Sequence, residues 1–122
     1  MTASIFDKII AREIPADIVH EDEVSLAFRD INPQAPVHVL IIPKKRIATI
    51  NDIQVTDREV VGHLYLVAAK LAQQFGIAES GYRVVMNCNA DGGQSVYHIH
   101  LHLLGGITMG WPPFANHQPK VQ

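Results

Sequence analysis

Hydrophobic positions in this chain repeat at two spacings, and the first helical stretch lies near the N-terminus. Ser4 and Asp7 have the spacing of a capping box, and Pro15 ends the short helix that they predict. The apolar residues of that helix gather on one side, and they are Ile5, Phe6, Ile9, Ile10 and Ile14.

A second, longer helix is predicted from Thr56 to Phe75. Thr56 and Glu59 have the spacing of another capping box, and Gly76 supplies a left-handed C-terminal cap. Helical spacing relates Val60, Leu64, Val67, Ala68, Leu71 and Phe75.

Alternating and β-branched stretches predict strands. Val24, Leu26 and Phe28 occupy alternate positions and would point one way. A run rich in β-branched residues extends over 37–42 and ends at Pro43. Two further strands are predicted over 81–89 and 95–105, and the turn signal "ADGG" between them indicates an antiparallel hairpin. The pattern therefore predicts an α+β fold with a mostly antiparallel sheet.

Composition narrows the class of protein. A chain of 122 residues with 48% hydrophobic and 18% charged residues predicts one globular domain. The formal net charge of −2 argues against binding a nucleic-acid backbone. The single Cys88, the lack of a secretion signal and the lack of a long apolar run favour a cytoplasmic protein without a membrane segment.

Three of the seven histidines follow one another at two-residue spacing in "HIHLH". In a strand, His98, His100 and His102 would share one face, whereas Ile99 and Leu101 would point into an apolar side. A solvated polar face is one interpretation of this row. A zinc site is another, although three collinear positions reach a common tetrahedral ion only with difficulty.

Phosphate chemistry is the third interpretation of the row. A neutral imidazole is a nucleophile at physiological pH, and charged imidazoles beside it can neutralise phosphoryl oxygens. Upstream, in "DGGQS", Gly92 and Gly93 allow the backbone to approach an anion closely, and Ser95 adds a hydroxyl.

These residues resemble a known family. "HIHLHLL" is similar to the signature of the histidine triad (HIT) superfamily of nucleotide hydrolases and transferases. The stretches "SIFDKIIAREIPA", "LAFRDINPQAPVHVLIIPKK", "DGGQSVYHIHLHLLGG" and "WPP" resemble, in order, its nucleotide-binding branch, the purine nucleoside phosphoramidases. The resemblance implies a HIT domain over residues 1–113, a C-terminal extension over 114–122, and a five-stranded sheet with two helices. It also implies a homodimer in which the two sheets become continuous.

The resemblance also implies a mechanism. His100 would attack the α-phosphorus of a nucleoside 5′-phosphoramidate or an aminoacyl-adenylate, and water would then release the nucleoside monophosphate from a nucleotidyl-histidine. His98 would orient His100, His102 and His38 would lie near the phosphate and the leaving group, and Ser95 would assist the leaving amine. No cofactor and no metal are expected.

The nucleotide contacts are implied in the same way. Asp30 would accept hydrogen bonds from the ribose hydroxyls, Asn87 would be a polar contact, and an apolar slot would hold the purine. The remaining expected contacts are Phe6, Ile9, Phe28, Ile31, Gly93, Gln94, Val96 and Trp111. The partners expected are AMP or GMP conjugates and a second copy of the chain. A dinucleoside polyphosphate hydrolase, a nucleotide-binding or protein-interaction module and a metal-binding protein stay open as alternatives.

The remaining charged and polar features are not assigned to the site. Lys44, Lys45 and Arg46 would form a solvated turn, and His20 and His63 would have structural or surface roles.

Overall fold

The computed structural model describes residues 3–114. Within that range the helices are α1 (Ile5–Ile10), α2 (Arg58–Gln74) and the single turn α3 (Asn89–Gly92), with 3₁₀ turns at Ile50–Asp52 and Val55–Asp57. The strands are β1 (Ile18–Glu21), β2 (Ser25–Arg29), β3 (Val37–Pro43), β4 (Tyr82–Val85) and β5 (Leu101–Gly105). No helix in residues 3–114 has the length and apolar character needed to cross a membrane.

The described strands form one antiparallel sheet in the order β1-β2-β3-β5-β4. The expected α+β fold with a five-stranded antiparallel sheet is therefore confirmed, and α1 and α2 are the two predicted helices. The central pair aligns β3 with β5, so that Leu40 lies opposite His102 and His38 lies opposite Leu104.

Alternation divides the sheet into two different faces. One face packs against α2 through buried residues such as Val39, Leu101 and Leu103. The other face packs against α1 through Leu26, Phe28, Leu40 and Ile42, with Phe6 and Ile9 from the helix. Because the side chains of a strand alternate, His38 and His102 lie on the α1 face.

α1 begins as predicted, because the Ser4 hydroxyl accepts from the Asp7 N–H and the Asp7 carboxylate accepts from the Ser4 N–H. The predicted Thr56 capping box of α2 is wrong. The buried Asp57 carboxylate accepts the Gln54 N–H at 2.8 Å, which winds Val55–Asp57 into a 3₁₀ turn and starts the α-helix at Arg58. The C-terminal end agrees with the prediction, since Gly76 has φ +73°.

The last two strands pair antiparallel, as predicted, but they are not a tight hairpin. The final pair joins Val85 to His102, and "ADGG" belongs to the α3 turn rather than to a two-residue hairpin turn. Hydrogen bonding of β5 begins only at Leu101, so the predicted strand start at 95 is wrong. Pro43, at the end of β3, has no N–H to continue the ladder, and the Ile99 N–H donates to the Ile47 carbonyl instead.

Candidate functional site

A pocket of about 360 Å³ opens on the α1 face of the sheet. α1 and the segment after it form one wall, β2 and its following turn form another, and the segment that precedes β5 forms the floor. The lining residues are Ile5, Phe6, Ile9, Ile14, Pro15, Ala16, Phe28, Arg29, Asp30, Ile31, Leu40, Ser95, Val96, His100 and His102. The pocket is therefore apolar along α1 and carries its ionisable groups where β2 ends and β5 begins.

The three histidines of the row stay close together although only His102 lies in β5. The ring centroids of His100 and His102 are 4.9 Å apart, and Ile99 and Leu101 are fully buried in the core of the α2 face. The alternation expected from the sequence therefore continues upstream of the hydrogen-bonded strand. Phe6 from α1 packs edge-on against the His100 ring, with the centroids 5.0 Å apart.

His100 has a tautomer that its environment determines. Its Nδ1 lies 2.8 Å from the His98 carbonyl oxygen, which can only accept, so Nδ1 carries the proton. Nε2 of the neutral ring then keeps its lone pair. The side chain of His98 is held similarly, since its Nε2–H donates to the Pro43 carbonyl at 2.7 Å. An unprotonated Nε2 is the form in which an imidazole acts as a nucleophile.

A second hydrogen-bonded chain joins His38 to His102. The Gln34 N–H donates to His38 Nδ1 at 3.0 Å, so the neutral His38 ring carries its proton on Nε2. That Nε2–H donates to His102 Nδ1 at 2.9 Å, which leaves the His102 proton on Nε2. His102, a lining residue of the pocket, therefore offers an N–H donor that main-chain and side-chain contacts have already oriented.

Burial keeps these four imidazoles neutral. It lowers the pKa of His38, His98 and His100 below the ordinary value, although nearby Asp30 or Asp7 opposes this for each ring. Burial, together with His100 and His38, lowers the pKa of His102 to about 4. The charged imidazoles expected from the sequence are thus not the resting form at neutral pH, because a desolvated ring surrounded by other rings disfavours a proton.

Asp30 lies beside this chain. Its carboxylate is 3.5 Å from His38 Nε2, and it accepts the Asn32 N–H at 2.8 Å. Ligand atoms of Asp30, His38 and His102 all lie within 4.8 Å of one another, which is compatible with a metal site by distance. The donor set does not fit as arranged, however: His38 already accepts at Nδ1, so a metal ion on Nε2 would require an imidazolate.

The loop before β5 is fixed from inside by Gln94. The Asn89 N–H donates to its Oε1, and its Nε2–H groups donate to the carbonyls of Ala48 and Val96. Gly93 has φ +82°, a left-handed conformation suited to glycine. The Gln94 side chain thus points into the protein, and the exposed Ser95 next to it lines the pocket.

Most predicted site residues come together in this pocket. Those that line it are Phe6, Ile9, Phe28, Asp30, Ile31, Ser95, Val96, His100 and His102. His98 is buried behind His100, and His38 contacts the pocket through His102. Asn87, Gly93, Gln94 and Trp111 are not lining residues, and Trp111 is 81% exposed, with its ring 5.8 Å from the Arg83 guanidinium.

Several lining residues were not predicted. Leu40 could have been found, because it is two residues from His38 on the same strand face. Ile5 and Ile14 were assigned to the apolar side of the first helix, whereas Pro15 and Ala16 carry no sequence signal of a pocket.

Ion pairs hold the basic turn, which was expected to be solvated. Lys44 contacts Glu21 at 2.8 Å, Lys45 pairs with the buried Asp57, and Arg46 contacts Asp7 at 2.9 Å. The turn therefore connects β3 to α1 and to the start of α2, next to the histidine row.

Comparison with known proteins agrees with this fold. The HIT domain family matches residues 11–109, and the chain belongs to that family. The purine nucleoside phosphoramidase of Escherichia coli (strain K12) is 58% identical over 107 residues, which cover 88% of this chain and 90% of that protein. A 14 kDa zinc-binding protein of Zea mays is 56% identical over 112 residues, which cover 90% of this chain and 87% of that protein.

The fold also matches a solved structure. The crystal structure of a HIT family hydrolase from Legionella pneumophila Philadelphia 1 superposes with a TM-score of 0.89 at 59% identity, covering 91% of this chain and 99% of that one. Family, sequence and fold comparisons thus agree in placing the chain in the HIT family.

Proposed function

We propose that this protein hydrolyses the P–N bond of purine nucleoside 5′-phosphoramidates and releases the nucleoside monophosphate, as an adenosine 5′-monophosphoramidase does. The observation that carries this proposal is the tautomer of His100, which keeps an unprotonated Nε2 in a pocket with an apolar wall. The name of the Escherichia coli relative, a purine nucleoside phosphoramidase, supports the same substrate class.

In the proposed first step His100 Nε2 attacks the α-phosphorus. The N–P bond to the enzyme forms as the substrate P–N bond breaks, and its electron pair leaves with the amine, which takes up a proton. The nucleotidyl-His100 ring is then cationic with its proton on Nδ1, and the His98 carbonyl accepts that proton in a hydrogen bond. Water then attacks phosphorus and gives a proton to the group that protonated the amine, and the N–P bond returns its electrons to Nε2. Dividing the displacement in two lowers each barrier.

The proton donor is proposed to be the chain from His38 to His102, with Ser95 assisting. Burial keeps His102 neutral, but an anionic phosphate beside it would favour the imidazolium, because opposite charge stabilises the protonated form. Substrate binding would thus charge the ring that protonates the amine. His98 holds His100 through its carbonyl and is a positioning residue.

The nucleoside is proposed to lie along α1. Asp30 would accept the ribose hydroxyls, and the purine would pack among Phe6, Ile9, Phe28 and Ile31. The Ile31 side chain is 97% exposed at the pocket edge, so a bound base would cover apolar surface that water now contacts. The loop before β5 would supply the remaining contacts to the nucleotide, from Asn87, Gly93, Gln94 and Val96.

A homodimer with a continuous sheet is part of the proposal. β4 has a described neighbour on one side only, so its other edge could pair with the same strand of a second copy. Trp111, exposed and away from its own pocket, would then contact the partner's site. Analytical ultracentrifugation tests this, and a monomer at assay concentration would contradict it. Cytoplasmic residence stays a prediction from the sequence.

The test is hydrolysis of a fluorogenic adenosine 5′-phosphoramidate by chelator-treated protein, with His100→Ala, and with His63→Ala as a histidine control on α2. We expect activity in the wild type and in His63→Ala, none in His100→Ala, and AMP binding retained in all three. Rapid acid-free quenching and mass spectrometry should find a nucleotidyl adduct that is absent from His100→Ala. Activity that requires added zinc would reject the metal-free mechanism.

The same assay separates the finer alternatives. Aminoacyl-adenylates are expected to be slower substrates, and dinucleoside polyphosphates to be poor ones. If dinucleoside polyphosphates react faster than phosphoramidates, the protein is a dinucleoside polyphosphate hydrolase instead. AMP binding without any turnover would favour a binding module.

A further inference from the structure

The His98 ring is completely buried, and one of its nitrogens has no hydrogen-bond partner among the described residues. Nε2–H donates to the Pro43 carbonyl, so the neutral ring leaves a lone pair on Nδ1. Oδ1 of Asp7 lies 3.7 Å from this Nδ1. Burying a polar atom without a hydrogen-bond partner costs free energy, so packing alone does not explain why this nitrogen is buried.

Asp7 is held in place by the residues around it. Its Oδ2 accepts from the Ser4 N–H and from Arg46 Nη1, each at 2.9 Å, and these contacts lower the pKa of the Asp7 carboxyl. The other oxygen, Oδ1, is the one nearest His98. The carboxylate is thus fixed and charged at neutral pH, with one oxygen directed at the imidazole.

We propose that Asp7 and Arg46 are positioning residues that control the charge of the His98 ring, with Asp7 favouring the imidazolium and Arg46 opposing it. A protonated His98 would donate from Nδ1 to Asp7 Oδ1 and so satisfy the buried nitrogen. It would also place a positive charge next to His100, whose Nδ1–H the His98 carbonyl accepts. That charge would make His100 Nε2 less basic and a weaker nucleophile.

Three charged or titratable groups act on this ring. Burial lowers the pKa of His98 most, and the hydrogen bond to the Pro43 carbonyl opposes it. Asp7, from α1, also raises this pKa, whereas Arg46 and His100 lower it. Phe6 covers the ring edge-on, with centroids 5.8 Å apart, and excludes water that would screen these charges. The neutral resting form of His98 is thus a balance in which Asp7 and Arg46 have opposite signs.

The test is an NMR titration of the His98 ring in Asp7→Asn, in Arg46→Gln and in Lys8→Gln, an exposed charge removed from the neighbouring position of α1. An amide oxygen at position 7 can still accept the Ser4 N–H, so α1 keeps its cap. We expect the His98 pKa to fall by about one unit in Asp7→Asn and to rise by about one unit in Arg46→Gln, as an opposite or like charge a few ångströms away implies. Lys8→Gln should leave it unchanged.

Opposite shifts are the signature of electrostatic control. Shifts of the same sign in both variants, or none, would overturn the proposal and leave only a packing role. If Asp7→Asn unfolds in acid before its lower His98 pKa can be measured, the rise of the His98 pKa in Arg46→Gln still tests the proposal.

The consequence for catalysis rests on the proposed function. On the acid side of the profile, the pH at which kcat falls to half should shift to a lower value in Asp7→Asn and to a higher value in Arg46→Gln. These shifts should follow the pKa of His98. If the wild type does not hydrolyse phosphoramidates but the titrations shift as expected, the proposed function fails and the control of His98 stands. If the enzyme is active and the titrations do not move, the control of His98 fails alone.

Discussion

Gly105 in β5 has no room for even one methyl group on the α2 face. A Cβ built there lies 2.5 Å from Ile77 Cδ1 and 3.3 Å from both Cβ and Cγ2 of the same side chain. Carbon atoms prefer separations of about 3.5–4.0 Å. Because Ile77 is itself buried in the core of that face, Gly105→Ala requires the core to move.

The expected cost can be estimated from these contacts. Overpacking by a methyl group typically costs about 1–3 kcal/mol, and the lower flexibility of alanine returns about 0.5–1 kcal/mol. Taking the middle of each range, we expect Gly105→Ala to lower the free energy of unfolding by about 1.2 kcal/mol. Ile77→Val removes the Cδ1 atom at 2.5 Å and alone costs about 0.5–1.5 kcal/mol. The double variant should be less destabilised than the sum of the two.

Urea denaturation of the four proteins, at one protein concentration, measures this coupling. Gly62→Ala in α2 is a matched control: nothing lies within 4 Å of its added Cβ, and alanine in a helix should stabilise by about 0.5–1 kcal/mol. Additive effects of Gly105→Ala and Ile77→Val, or a neutral Gly105→Ala, would refute the steric argument. Turnover per folded molecule should not change, because the histidines lie on the opposite face.

Three further outcomes are expected. Ser95→Ala should slow phosphoramidate turnover without stopping it, and an unchanged kcat would leave Ser95 a loop residue only. The pKa of His102 is about 4 in the folded chain, against an ordinary 6.5, so the unfolded chain binds the extra proton between these values. The free energy of unfolding should therefore fall as pH drops from 6.5 towards 4, by about 1.4 kcal/mol per unit for this group, and His102→Gln should flatten the slope measured by urea denaturation. Asp22→Asn should destabilise by roughly 2 kcal/mol in the same assay, because one carboxylate accepts from His20, His63 and the N–H groups of the β1–β2 turn; a change below 0.5 kcal/mol would contradict this.

The parts of the fold that were predicted from the sequence are those that local chemistry decides. The cap of α1 depends on residues three apart, and the β3 run and the Gly76 cap are equally local. The start of α2 was missed because the Asp57 carboxylate, not the Thr56 side chain, accepts a main-chain N–H there. Asp57 is buried in a pair with Lys45, a residue 12 positions away, and that contact has no local sequence signal. The start of β5 was missed because Pro43, on another strand, ends the ladder.

The site also divides into features that local sequence determines and features that depend on distant contacts. The shared face of the histidine row followed from alternation, and the nucleotide contacts followed from the resemblance to a family. The tautomers of the histidines could not be predicted from the sequence, because they depend on carbonyls and N–H groups that only the folded chain brings near each ring. Asp7 and Arg46 were assigned to a helix cap and a solvated turn, since their proximity to His98 depends on how α1 docks on the sheet.

A main-chain N–H determines which way the hydrogen bonds through His38 and His102 run, because it donates to the first ring of the chain. The N–H of Gln34 is present in every residue type except proline, and the exposed Gln34 side chain lies outside that chain of contacts. Substitutions at position 34 can therefore accumulate without reversing the two rings. Proline alone would delete the donor, free His38 to move its proton to Nδ1, and leave His102 without its oriented N–H. A position that looks dispensable by its side chain thus excludes one residue for a chemical reason.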